Sequence, residues 1–105
     1  MKEKRVKDIF SVSDVFSSPK RLLLLEFFRK GPSKWTDIDN FFNKKTNVSA
    51  SVSEIYKHIH VLKDNNYIAK RGNSYIITKR GMRAIDLVKE IANTEPKVPK
   101  VEMEF

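Results

Sequence analysis

Between Ser49 and His58 the chain sets hydroxyls, a carboxylate, an ammonium group and an imidazole close together: Ser49, Ser51, Ser53, Glu54, Lys57 and His58. Hydroxyl and ammonium groups donate to phosphate oxygens and base edges, and a lysine also reaches the acceptor edge of guanine. A second group, Lys70, Arg71, Asn73 and Ser74, surrounds Gly72. Two adjacent cations at a tight turn suit a minor groove or its flanking phosphates. Lys44 and Lys45 precede the first group, and Lys20 and Lys34 lie upstream as further phosphate contacts, with Arg21, Lys79 and Arg80 as additional cations. Ser49, Ala50 and Ser51 are small enough to let a helix N-terminus approach a phosphate. All of this is chemistry for holding an anion.

Bond-making chemistry has little support. There is no Gly-rich phosphate loop, H-E-x-x-H, G-x-S-x-G or acidic metal cluster. Asp37 and Asp39 are explained by the helix start they occupy, where the helix dipole favours negative charge. His58 and His60 are two residues apart on a helical segment, so they point in different directions and cannot chelate one ion. The absence of cysteine excludes a disulfide framework, a thiolate zinc site and a cysteine nucleophile. No enzyme activity, metal, cofactor or small-molecule ligand is expected.

Charge points the same way. The chain carries 21 Lys and Arg against 13 Asp and Glu, a net charge of +8 over 105 residues. Residues 34–80 alone carry +5, from nine basic and four acidic residues, while residues 81–94 are neutral and 95–105 carry −1. An excess of this kind favours polyanionic partners, nucleic acid above an anionic membrane surface. No apolar run approaches the ~18–20 residues of a membrane span, and the basic N-terminus lacks the apolar core of a secretory signal. The expectation is a soluble, cytoplasmic single domain.

The elements that position these groups follow from caps and periodicity. Residues 1–5 are polar and expected to be mobile; Val6, Ile9, Phe10, Val15 and Phe16 fit a short helix loosely. Ser18-Pro19 starts a second helix through Lys30, stopped by Gly31-Pro32. Trp35 is expected in a small β element packed against that helix, and Thr36 as the cap of a short helix Asp37–Asn43 burying Ile38, Phe41 and Phe42. Ser51-Val52-Ser53-Glu54 is a capping box opening a third helix with Val52, Ile55, Ile59 and Leu62 inward. Its opposite face presents Ser53, Glu54 and Lys57, and further round Lys63 and Asp64; Tyr56 lies beside the core face, placed to stack or pack. Glu54 is expected to serve the capping box, and His58 to be partly exposed within reach of a phosphate. Tyr67 to Ile77 reads as a hairpin turning at Gly72-Asn73. Thr78 caps a last helix to about Asn93, with Met82, Ile85, Val88 and Ile91 or Ala92 inward. Residues 94–105 read as a tail or extended arm, giving an N-terminal segment 1–17, a domain 18–93 and a tail 94–105.

Here the segments resemble a known family. "SSPKRLLLLEFF" looks like the opening helix of winged helix-turn-helix regulators of the ArsR, MarR and PadR type. "SVSEIYKHIHVLKDNNYI" resembles their recognition helix and its exit, and "KRGNSYIITKRG" is similar to the wing tip, second wing strand and start of the last helix. The resemblance covers residues 10–92 and implies a mainly α fold with a small β-hairpin, a winged helix-turn-helix. It also implies a sequence-specific duplex-DNA binder, a transcriptional regulator reading DNA through residues 51–65 in the major groove and 68–77 at the adjacent groove or backbone. One departure is the stretch Lys44 to Ser51, longer than the usual three- or four-residue turn. Either the short helix runs further, the third begins nearer Asn47, or the loop is elongated. A homodimer would double the contacts on a two-fold site, through Ile9 and Phe10 and the face carrying Ile85, Val88, Ile91 and Ala92. The alternatives are a winged-helix protein–protein or RNA interaction module and a sequence-indifferent architectural DNA binder.

Overall fold

The computed structural model describes residues 3–45 and 49–94, excluding the side chains of residues 3–5 and 45. Five α-helices surround a small sheet: α1 (Glu3–Phe16), α2 (Pro19–Arg29), β1 (Ser33–Lys34), α3 (Trp35–Asn40), α4 (Val52–Asp64), β2 (Ile68–Arg71), β3 (Ser74–Ile77) and α5 (Lys79–Ala92). The sheet is antiparallel with order β1-β3-β2. Ser33 pairs with Tyr75 across one edge of β3, and Ile68 with Ile77 across the other. The mainly α fold with its hairpin is as expected, with β1 as an added edge.

Local signals set the helix ends. Ser18 Oγ accepts from the Arg21 N–H at 3.3 Å, and Pro19 fills the first turn of α2, where its missing donor costs nothing. At the other end Gly31 takes φ 143°. The exit of α4 is a Schellman motif. Asn66 sits at φ 64°, its N–H bonds the Lys63 carbonyl at 3.0 Å, and the Tyr67 N–H bonds the Leu62 carbonyl at 2.9 Å. Asparagine tolerates this left-handed geometry better than most side chains. Thr78 Oγ1 accepts from the Gly81 N–H at 3.1 Å, capping α5, and donates to the Asn66 carbonyl at 2.6 Å.

Three segments differ from the sequence reading. The first helix begins at Glu3, within the stretch expected to be mobile. The short helix starts at Trp35, with Lys34 at its cap position, and Asp37 accepts from the Lys34 N–H at 3.0 Å. Thr36 is therefore inside the helix and β1 ends before Trp35. The same helix continues through Phe41–Lys45 as a π-helix. A wider turn swings successive side chains closer in direction, so Phe41 and Phe42 both pack inward. Phe42 is buried, and Phe41 stacks on Phe27 with ring centroids 4.5 Å apart. This extension accounts for part of the long stretch before α4. Residues 46–48 and 95–105, the latter covering nearly all of the proposed tail, lie outside the described residues.

The core gathers on α2, whose Leu24, Leu25 and Phe28 are fully buried with Val15, Ile38, Ile55, Ile59, Leu62 and Ile68. Surface pairs flank it: Glu26 with Lys89 at 3.1 Å and Arg29 with Asp86 at 2.9 Å join α2 to α5. Arg80 reaches Ser11 Oγ at 3.0 Å and lies 4.6 Å over the Tyr67 ring, tying α5 to α1.

The tightest backbone approach is at Gly81. A Cβ there would stand 2.2 Å from the Tyr67 carbonyl oxygen and 2.7 Å from Ile77 Cγ1. Gly81→Ala must displace main chain, so it should destabilise the fold by about 1–3 kcal/mol in urea titrations. An unchanged midpoint would refute this account of the joint.

Candidate nucleic-acid interface

Helix α4 divides cleanly into two faces. Ile55, Ile59 and Leu62 face the core, while Ser53, Tyr56, Lys57 and His60 are exposed. Ser51 is the N-cap: its Oγ accepts from the Glu54 N–H at 3.2 Å and lies 3.3 Å from Ser53 Oγ. Ser49 is exposed just before it. Val52, expected inward, is 53% exposed, and the core at this end of α4 is closed by the buried Ala50.

His58 is not on the outward face. It is only 9% exposed, and its Nδ1 accepts from Arg21 Nε at 3.0 Å. The neutral ring therefore carries its proton on Nε2, which is buried, lacks a hydrogen-bond partner and lies 3.7 Å from Glu54 Oε2. Glu54 is in turn held by Lys20 Nζ at 2.7 Å. The carboxylate thus completes an ion pair between α2 and α4 in place of the second half of a capping box. Arg21 Nη1 also donates to the Asp14 main-chain carbonyl at the end of α1. Lys20 and His58, both candidates for phosphate contact, are instead parts of an internal junction joining α1, α2 and α4. Glu54 and His58 share a face at i,i+4 within α4, but Lys20 and Arg21 come from a distant segment that periodicity within α4 could not reveal.

Burial pushes the His58 imidazole below its ordinary 6.5, and the Arg21 charge adds to that against the pull of Glu54. The Lys20 hydrogen bond holds the Glu54 carboxyl below its ordinary 4.5.

The hairpin brings its cations to the turn. Lys70, Arg71 and Asn73 are exposed, Ser74 is half-buried, and Gly72 takes φ 55° as a two-residue hairpin turn requires. A cleft of about 370 Å³ between α4, the hairpin and the β1–α3 junction brings together Lys34, Tyr56, Lys70 and Asn73. Lys44 is exposed in a different hollow, beside Asp37 and Asn40. The Lys45 side chain lies outside the described residues. Trp35, expected in the small β element against α2, lies beyond β1 and stacks on Tyr56, centroids 4.0 Å apart and planes 4° apart. Two aromatics separated by this much chain carry no sequence signal for pairing. Among the described residues no group of His, Cys, Asp and Glu is placed to hold a metal ion. No helix there is long and apolar enough to cross a membrane.

Away from this face, Ile9 and Phe10 on α1 are 49% and 64% exposed, and Ile91 on α5 is 63% exposed beside exposed Ala92. Ile85, expected on the same outer surface, belongs to the core at 3% exposure, and Val88 is half-buried against it. The inward face of α5 is Gly81, Ala84 and Ile85, leaving Met82 exposed. The α5 stripe was therefore assigned to two surfaces at once, and the core takes its first part.

Because the folded state disfavours protonated His58, the unfolded chain binds more protons below about pH 6.5. Stability should fall as pH drops through that value, by at most about 1.4 kcal/mol per pH unit, until the folded imidazole itself protonates. Urea midpoints near pH 7.5 and 5.5 should separate less in His58→Gln than in the natural chain. Equal separation would remove His58 as the source.

Residues 24–96 match the family described as winged helix-turn-helix. An uncharacterized HTH-type transcriptional regulator from Methanocaldococcus jannaschii is 24% identical over 96 residues, 87% of this chain and 90% of that protein. The crystal structure of Bacillus subtilis PadR superposes with a TM-score of 0.60 at 26% identity, over 78% of this chain. The chain spans about half (47%) of PadR's length. An ArsR family transcriptional regulator superposes at TM-score 0.57 and 20% identity, over 88% of this chain and 95% of that one, a likeness of fold. The order of helices, the α3–α4 pair and the hairpin after α4 agree with these matches, and the chain belongs to the winged helix-turn-helix family.

Proposed function

We propose that the protein is a transcriptional regulator that binds double-stranded DNA sequence-specifically as a cytoplasmic homodimer. The observation that carries this reading is the shared face of α4 and the hairpin. Ser53 and Lys57 on α4 and Lys70, Arg71 and Asn73 on the hairpin are all exposed, and among the described residues no carboxylate lines the cleft that Tyr56, Lys70 and Asn73 share. In this reading α4 enters the major groove with Ser53 and Lys57 toward base edges, and the hairpin meets the adjacent groove or backbone. Ser49, Lys34 and Lys44 add phosphate contacts. The names of the similar regulators support the assignment.

The homodimer is supported by the apolar groups left outside the core. Ile9, Phe10 and Val12 on α1 and Leu87 and Ile91 on α5 are all exposed, and clustered exposed apolar area marks association surfaces. Light scattering at tens of micromolar should give twice the chain mass, and Phe10→Glu should shift it to the monomer. A monomeric natural chain overturns this part.

DNA binding is tested by fluorescence anisotropy with a random 30-base-pair duplex and with DNA upstream of its own gene. A dimer neutralising about 8 phosphates should lose roughly ten-thousandfold in affinity between 50 and 200 mM salt. Lys57→Ala and Arg71→Ala should each weaken binding, and where the lost contact is to phosphate the dimer loses it twice and the salt slope falls by about 2. Equal affinity for both duplexes indicates a sequence-indifferent binder. No binding at 50 mM salt removes the DNA reading and favours a protein or RNA partner.

A further inference from the structure

The cleft beside α4 has a floor as well as charged walls. Trp35 and Tyr56 lie face to face, and Tyr56 is 42% exposed while Trp35 is half-buried. Stacking on one side removes most of the freedom of the Tyr56 side chain, so its phenol hydroxyl is presented in a fixed place without a partner binding first. Around this floor stand Lys34, Thr36, Lys70 and Asn73. They supply two ammonium groups, a hydroxyl and an amide, and among the described residues the lining contains no carboxylate.

The walls come from three separate elements: the β1–α3 junction, α4 and the hairpin. The three walls enclose one continuous cleft of about 370 Å³. An extended anion whose charged groups alternate with apolar ones matches all of them, with ammonium groups against charge and aromatic ring edges against carbon. The sugar–phosphate backbone has this character, and backbone contacts of this kind fix the register of a protein on a duplex. A Tyr hydroxyl is one of the side chains that makes them.

We infer that this cleft seats the backbone of one DNA strand between α4 and the hairpin, with Tyr56 donating to a phosphate and Trp35 acting as the positioning residue that fixes it. The inference rests on the duplex-DNA reading above and adds a specific contact to it. Lys34 and Lys70 flank the seated strand, and their charges set part of the salt dependence.

The chain contains a single tryptophan, so its emission reports on this cleft alone. Titrating the full chain with the random 30-base-pair duplex at 50 mM salt should change Trp35 emission with the same midpoint as the anisotropy. Tyr56→Phe keeps the stacked ring and should keep the urea midpoint, yet weaken binding about tenfold through loss of a hydrogen bond to a charged group. The Lys34→Ala, Lys70→Ala double variant removes four cations from the dimer and should flatten the plot of log affinity against log salt by about 4. Normal anisotropy with constant Trp35 emission, natural affinity in Tyr56→Phe and an unchanged salt slope would overturn the cleft and leave DNA binding standing. No rise in anisotropy would overturn both.

Discussion

A small chain has one core to build, and here that core is laid around a single helix. Leu24, Leu25 and Phe28 of α2 are fully buried, and α1, α4, α5 and β3 all pack against that helix. Removing side chains of this size from water contributes about 1.5–3 kcal/mol each, so few alternatives compete with seating α2 at the centre. The other elements then have limited choices of rotation. Helix α4 must turn Ile55, Ile59 and Leu62 toward α2, which puts Ser53, Tyr56 and Lys57 outward as a consequence. The surface offered to a polyanion is the complement of the core pattern.

Apolar burial sets the rotation of α4, and the polar junction beside it pins the helix along its length. Directional contacts from Asp14 through Arg21 to His58, and from Lys20 to Glu54, join three helices, with His58 and Glu54 3.7 Å apart between them. Lys20 is offset by the Glu54 carboxylate, while Arg21, against a neutral ring and a main-chain carbonyl, leaves the junction one net positive charge. The exposed cations on the far side of α4 and on the hairpin supply the rest of the field outside. Sorting of this kind keeps carboxylates out of the cleft among the described residues, because Glu54 is drawn inward by Lys20 and Asp37 is occupied by the start of α3.

What was legible in the sequence is what local chemistry decides. Ser18-Pro19, Ser51 and Thr78 announce helix starts because a side-chain oxygen meets an amide two or three residues on, whatever the rest of the chain does. The hairpin turn was legible for the same reason, since Gly72 supplies a positive φ. The errors fall where distant segments decide. His58 is inside because Arg21 offers it a donor, and Trp35 finds Tyr56 across the fold. Val52 shares the spacing of the buried stripe, yet its turn of α4 lies at the edge of the core, where Ala50 already closes the gap. The π-helical extension at Phe41–Lys45 depends on Phe27 standing ready to receive Phe41. The family resemblance supplied the element order, and the side-chain placements needed the fold.

The contact at Gly81 has a mechanical consequence. With only hydrogen where a methyl group would strike the Tyr67 carbonyl, the first turn of α5 rests directly on the main chain leading into β2. Thr78 fastens the same spot, its N–H on the Tyr67 carbonyl at 3.1 Å and its hydroxyl on Asn66. Helix and hairpin are therefore joined at their common root by main-chain contact, with the Ile77 side chain packed beside it. A four-residue strand reaches about 13 Å from that root, so tilting α5 by about 10° carries the hairpin tip about 2 Å along an arc of that radius. A rigid tilt of α5 carries Arg71 and Asn73 with it, and α5, with 14 residues and about 21 Å of length, is the long arm of a lever whose short arm is the hairpin.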